Sequence, residues 1–193
     1  MTRLFICMIL LLSFAKPLSA SQSVTQCLTK HLGLLNRVHE TDKYYEWIVG
    51  NSVTLDPEFM RILITMMRVE STFDATALSS KGAKGILQVT DIAVREIDTA
   101  VDSFANQNKY LRFVERCQGL EVDRLFEVEH NIRAGSCYLQ LMRIRYGGYI
   151  AALITYNGGT RQLLRIQKGK RLATETLNYV TQILYWKETL CEN

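Results

Sequence analysis

The chain has 193 residues, 48% of them hydrophobic and 22% charged, with 11 Gly, 2 Pro and 5 Cys. That length suits one domain with a substantial core, and the scarcity of proline excludes a collagenous, Pro-rich or disordered class. A net charge of +4, from 23 Lys and Arg against 19 Asp and Glu, is too mild to point to a nucleic-acid partner.

The first twenty residues read as an address. Thr2-Arg3 give a short positive start, Leu4 to Leu12 run without a charge, and Leu18-Ser19-Ala20 supply small residues before Ser21. This is the three-part pattern of a secretory signal over residues 1–20. The apolar run is shorter than the roughly 20 residues of a spanning helix. The expectation is therefore export, with no stable membrane span after cleavage; an uncleaved anchor or a buried N-terminal helix is the alternative. Cys7 lies inside the apolar run with no small residue before it, which argues against a lipoprotein site. Cleavage would remove Arg3, Lys16 and Cys7, leaving 21 basic against 19 acidic groups and four cysteines.

Those four, Cys27, Cys117, Cys137 and Cys191, read as two disulfides with three possible connectivities. The favoured pairing is Cys27–Cys191 across the termini with Cys117–Cys137 closing an internal loop. No close Cys or His pair has metal-site spacing, so neither a metal nor a cofactor is expected. His31, His39 and His130 stand in polar surroundings and are expected at the surface.

Residues 21–50 read as an irregular or weakly helical N-terminal extension, and 51–193 as the functional domain. Asp56-Pro57-Glu58 is a strong helix start, with a capping side chain, a first-turn proline and an early acid, and predicts a helix over 57–70. Further helices are expected near 89–100, 104–116, 127–146, 149–156, 160–167 and 175–190. Gly147-Gly148 and Gly158-Gly159 serve as stops. No long alternating pattern appears, and Ser79 to Gln88 has room for only a small hairpin or irregular loop. The fold class is mainly α.

The helix over 57–70 carries the catalytic candidate. At about 100° per residue, Glu58, Arg61, Thr65 and Arg68 share one stripe, while Phe59, Leu63, Met66 and Met67 flank the direction of Glu70. Glu70 thus projects from the apolar face at the helix C-terminal end. Burial and the negative end of the helix dipole both raise a carboxyl pKa, and an acid kept protonated near neutral pH can donate to a leaving group. Pairing with an Arg, or fraying into solvent, is the alternative that this helix alone leaves open.

From Glu70 the sequence continues Glu70-Ser71-x-Phe73, then Ser79-x-x-Gly82-Ala83-x-Gly85-Ile86-x-Gln88. Further on come Asn131-Ile132-x-Ala134-Gly135 with Tyr138-Leu139, then Tyr156-Asn157-x-Gly159, and Glu175-Thr176-x-x-Tyr179-Val180. This ordered set resembles the soluble lytic transglycosylase family. The resemblance implies a lysozyme-like helical domain, of the kind shared by goose-type lysozymes and lytic transglycosylases. It also implies an enzyme that cuts the β-1,4 bond between N-acetylmuramic acid and N-acetylglucosamine in peptidoglycan. Glu70 would protonate the leaving oxygen and then, as a base, take the proton of the muramyl 6-hydroxyl as that oxygen closes onto C1. The product would be a 1,6-anhydromuramyl end.

The resemblance places Ser71, Ser79, Gln88, Tyr156, Asn157 and Tyr179 at substrate-binding positions. Ser71 is equally a helix-end cap, and Asn157 before two glycines is equally a helix stop. The tyrosines offer hydroxyls to orient the acid and the sugar. Gly82 and Gly85 permit tight turns, and Ala134-Gly135 permit close helix packing. Asp74, Asp91 and Glu175 are the available second carboxylates, with Asp74 expected to cap a turn. Val89-Thr90-Asp91 departs from the Met-Pro pair of many relatives, and the charged segment 92–117 is longer than in many of them. The basic run Arg161, Arg165, Lys168, Lys170 and Arg171 is a solvated helix face, or an attraction for anionic stems and envelope polymers. The glycan strand is the expected partner, with a secretion, conjugation or pilus assembly as a further one. A hydrolytic muramidase, or a weakly active wall-binding scaffold, are the rival readings.

Overall fold

The computed structural model describes residues 19–192; the predicted signal segment, apart from its last two residues, lies outside the described residues. Nine α-helices carry the described chain: α1 Ala20–Gly33, α2 Thr41–Asn51, α3 Pro57–Ser71, α4 Asp91–Phe104, α5 Leu111–Cys117, α6 Val128–Tyr146, α7 Gly148–Gly158, α8 Thr160–Gln167 and α9 Thr174–Lys187. A single π-turn, Glu188–Glu192, follows α9. Among the described residues the β content is two isolated bridges, Leu78 with Lys84 and Lys84 with Val89, so the glycine-punctuated segment is an irregular loop.

Helix α3 starts as its sequence dictates. Asp56 Oδ1 accepts from Glu58 N at 3.1 Å, and Pro57, whose missing N–H costs nothing there, occupies the first turn. Its burial exceeds the expected single apolar stripe: Phe59, Met60 and every residue from Ile62 to Met67 are buried, Thr65 included. The polar stripe is only partly exposed, because α1, α9 and the C-terminal turn pack over it. Thr65 Oγ1 bonds back to Arg61 O at 2.9 Å, Glu58 pairs with Arg61 and Lys187, and the Arg68 guanidinium lies 4.3 Å from the Trp186 ring centroid. Burying a large apolar side chain contributes about 1.5–3 kcal/mol, so α3 is the main axis of the core.

Residues 21–50 are more ordered than their composition suggests. Serine 19 caps α1 in a reciprocal capping box with Gln22, and Val24, Cys27, Leu28 and Leu32 line its buried face. Tyr44 and Ile48 of α2 join the same core. The expected helix over 104–116 is interrupted, with a 3-10 turn at Asn108–Tyr110 before α5. That turn brings the Tyr110 ring to 4.1 Å from Phe104, a contact a continuous helix would not allow at this spacing.

Both expected disulfides are present, Cys27–Cys191 and Cys117–Cys137. The first binds α1 to the turn after α9, and the second binds α5 to α6. His39 is exposed as expected, whereas His31 and His130 are buried. His31 lies on the inward face of α1, one turn after Cys27 and 3.6 Å from Cys191 Sγ, where burial and the Arg68 charge push its pKa down to about 3. His130 Nε2 accepts from Glu121 N at 3.0 Å, and burial chiefly lowers its pKa. Polar neighbours in sequence misled the expectation because both rings turn inward, away from those neighbours.

The Cys27–Cys191 bridge spans 164 residues. Replacing both cysteines by alanine should cost about 2–4 kcal/mol. The expected observation is a lower urea midpoint with a slope that is equal or steeper, because the freed unfolded chain exposes more surface; an unchanged midpoint would show that this strap contributes nothing.

Candidate active site

Helix α3 ends in an unusual backbone turn directly after Glu70. Thr72 and Phe73 both have left-handed φ, 56° and 62°, which side-chain-bearing residues adopt at a cost of about 1–3 kcal/mol each. The surroundings hold them there. The Phe73 ring is buried edge-on against Tyr44 at 5.4 Å, and its carbonyl accepts from Arg37 Nη1 at 3.2 Å and from Tyr44 Oη at 3.4 Å. Arg37 is itself fixed by Glu40 at 2.6 Å. The supposed N-terminal extension therefore anchors the turn that follows the acid.

Glu70 opens onto a cleft of about 400 Å³ that is also lined by Ser79, Lys81, Gln88, Thr90, Tyr156 and Asn157, with Glu175 at the same opening. The residue keeps part of its surface in the cleft, while its carboxyl is hemmed in by protein. Burial pushes its pKa from 4.5 up to about 8, and Tyr179 pulls the other way. The negative end of α3 adds to the upward push. The Tyr179 hydroxyl is buried beside Glu70 without an acceptor in full hydrogen-bond geometry. Burial raises the pKa of Tyr156 and Tyr179 well above the usual range, so both remain phenols.

The loop 77–89 forms one wall, and its shape is set by side-chain amides. Gln88, at φ 48°, donates from Nε2 to Ala77 O at 3.1 Å and Gly85 O at 2.9 Å. Two carbonyl partners fix the amide orientation and leave Oε1 as its acceptor for the cleft. Ser79 Oγ accepts from Lys81 N and Ala83 N, closing the turn below. Asn131, wholly buried on α6, accepts from Leu87 N at 2.8 Å and donates to Lys84 O at 2.8 Å and Leu125 O at 2.6 Å. Tyr156 Oη donates to Leu87 O at 2.8 Å, so its proton serves the loop rather than Glu70.

Glycines complete this clamp. A Cβ on Gly85, at φ 70°, would come within 2.4 Å of Leu125 O, and one on Gly135 within 2.6 Å of Leu87 Cδ1. The loop, α6 and α7 thus meet at van der Waals contact. Ser71 does not line the cleft; its Oγ donates to Ile86 O at 2.8 Å and ties the end of α3 to the loop. Thr90 combines a cleft position with capping of α4, its Oγ1 accepting from Ala93 N. Asn157 lines the cleft, while its Oδ1 is buried within the protein without a hydrogen-bond partner.

Asp74 and Asp91 lie outside the cleft lining, and Glu175, which shares it, is exposed and tied to Lys81. Asp74 is exposed and accepts from Thr76 N and Oγ1, as a turn cap should. Asp91 pairs with Lys84 at 2.9 Å and Glu175 with Lys81 at 3.2 Å. The arrangement is a single desolvated acid set against a wall of fixed amides and carbonyls. Asn131 is the residue whose role the sequence did not show: it sits within a recognised motif, and its three loop contacts are 6, 44 and 47 positions away.

A lysozyme-like helical domain with a lone buried glutamate at the end of its central helix is the class that this fold and site define. Residues 58–178 match the model of the transglycosylase SLT domain, and the chain belongs to that family of peptidoglycan lytic transglycosylase domains. It is also similar to the membrane-bound lytic murein transglycosylase C of Serratia proteamaculans (strain 568), at 27% identity over 118 residues. That match covers 57% of this chain and 30% of the relative.

Two predictions follow from this geometry. Asn131→Ala strips two carbonyls and one amide of buried partners and should destabilise by about 2–4 kcal/mol, read as a lower midpoint in urea. Glu70 in its raised-pKa setting stays neutral while the unfolded chain ionises. Its contribution is therefore neutral below about pH 4.5 and becomes a growing penalty up to about pH 8. Glu70→Gln should thus match the parent near pH 4 and exceed it by on the order of 4 kcal/mol at pH 8; equal melting curves at both pH values would contradict the buried acid.

Proposed function

We propose that this protein is a peptidoglycan lytic transglycosylase that cleaves the MurNAc-β-1,4-GlcNAc bond and leaves 1,6-anhydromuramyl ends. The observation that carries this reading is the contrast between the two carboxyls of the cleft: Glu70 is desolvated by the core, whereas Glu175 at the same opening is exposed and paired with Lys81. A hydrolytic glycosidase of the ordinary kind needs two carboxylates facing one bond. One carboxyl suffices when the substrate carries its own nucleophile.

The steps follow from the group's two states. Protonated Glu70 gives its proton to the glycosidic oxygen as the bond to C1 breaks. The resulting carboxylate takes the proton of the muramyl 6-hydroxyl while that oxygen bonds to C1, which restores the acid and consumes no water. Tyr179 steadies the carboxylate between the steps. The Gln88 acceptor receives sugar N–H or O–H groups, and Ser79, Thr90 and Asn157 shape the wall on which the strand rests. Ser71 contributes through the turn it ties down rather than by touching sugar.

The charged start and apolar run of residues 1–20 support export to the bacterial envelope, where the substrate lies. No helix among the described residues is long and apolar enough to cross a membrane. The small size of the domain and the resemblance noted in its sequence support local wall opening for an envelope-spanning secretion, conjugation or pilus system.

Incubation with purified sacculi, followed by mass spectrometry, should give anhydromuramyl ends; reducing muramyl ends would assign the hydrolytic reaction instead. Glu70→Gln should lose at least a thousandfold in kcat, which is within the reach of one general acid acting in two steps, with binding to sacculi retained. Since the first step needs the protonated acid, kcat/KM should fall about tenfold per pH unit above the Glu70 pKa of about 8. A flat profile from pH 7 to 10 would exclude Glu70 as the donor.

A further inference from the structure

Helix α8 is unlike the other helices of the described chain in having no buried residue. Arg161, Arg165 and Lys168 lie within about 60° of one another around its axis, and Lys170 and Arg171 follow in the next turn. Arg161, Leu164, Arg165, Lys168 and Lys170 line a hollow of about 240 Å³. Among the described residues none of the five basic side chains is in an ion pair, although ion pairs are common elsewhere on this surface, as at Arg124, Arg145 and Lys187. Arg165 Nε donates to Arg171 O at 3.1 Å, which draws the two ends of the cluster together. Like charges gathered without counter-charges repel one another, so the cluster is a standing attraction for an anion.

Its place in the chain says which anion. α8 joins the two segments that bound the cleft, since Asn157 lies at the end of α7 and Glu175 at the start of α9. It is fixed to both: Gln162 Oε1 accepts from Ala173 N at 3.0 Å, and a Cβ on Gly158 would strike Gln162 and Thr176 within 2.5 Å. A glycan strand seated over Glu70 carries a peptide on each muramic acid, and these peptides must leave the cleft across its rim. Such stems bear free carboxylates and small aliphatic side chains, which suit guanidinium forks beside the apolar Leu164.

We infer that the α8 hollow is a subsite for the acidic peptide stem of the strand held in the cleft, selecting peptide-bearing glycan over bare glycan. This rests on the reading of the cleft as a glycan site. An anionic lipid surface fits less well, because α8 spans eight residues and offers only Leu164 and Ile166 as exposed apolar side chains.

The test compares the full exported chain with Arg161→Gln/Arg165→Gln/Lys168→Gln on two polymers: intact glycan strands and strands stripped of peptides by an amidase. Circular dichroism and a melting curve should be unchanged, because the three side chains support no core. On intact strands the triple variant should show KM raised about tenfold with kcat within twofold, and half a molar salt should erase the parent's advantage. On stripped strands parent and variant should be equal. Lysine at 161 and 165, with Lys168 kept, should restore part of the preference.

Equal losses on both polymers, or no loss on either, would overturn the subsite. So would cosedimentation with phosphatidylglycerol vesicles that the variant abolishes while both polymers are cut as before. Absence of anhydro product from both polymers with the parent chain would instead overturn the catalytic reading, which separates the two failures.

Discussion

Keeping a carboxylic acid protonated near neutral pH requires that water be kept from it, and the placement of Glu70 does this through the burial of α3. The helix is partly covered by α1 and α9 on the side its sequence marks as polar, and buried by the core on the other. The carboxyl at its end therefore cannot gain solvation without unpacking several helices. Its one outlet is the cleft. The raised pKa is in this sense a property of the whole core rather than of the residues beside Glu70.

The remainder of the site is a problem of rigidity. A loop rich in glycine is free to adopt many shapes, and here one is selected by amides that hydrogen-bond to it. Asn131 holds it from below, Gln88 from within, Ser71 and Tyr156 from the two neighbouring helices. The glycines at 85 and 135 let backbone and helix come close enough for those bonds to form. Because these partners hold the loop in one shape, the wall presented to a sugar is preorganised, and binding need not order it.

The left-handed residues Thr72 and Phe73 show where strain is held. They turn the chain sharply away from α3, so that Glu70 ends the helix beside the cleft and the loop can double back to it. Tyr44 and Arg37 secure that turn from α2 and the segment before it. The region that composition marks as an extension is thus part of the support of the acid, and the Cys27–Cys191 strap keeps its first helix against α3.

The sequence alone determined the helical class, the start of α3 and most helix positions, and it singled out Glu70 as the candidate acid, because these depend on local patterning and on ordered motifs within a few residues of each other. Parity made two disulfides legible, and of the three connectivities it left open the structure has the favoured one. Other features were decided only by tertiary structure. His31 and His130 turned inward, the polar stripe of α3 was partly covered, Ser71 and the Tyr156 hydroxyl were spent on the loop, and Asn131 proved to be its anchor. Each of these depends on which partner lies across the core, and the partners of Asn131 and Arg37 stand as many as 47 and 36 positions away. A periodic pattern reports which face of a helix is apolar, but not what the fold lays upon the other face. That covering, and with it the desolvation of Glu70, exists only once the helices have packed.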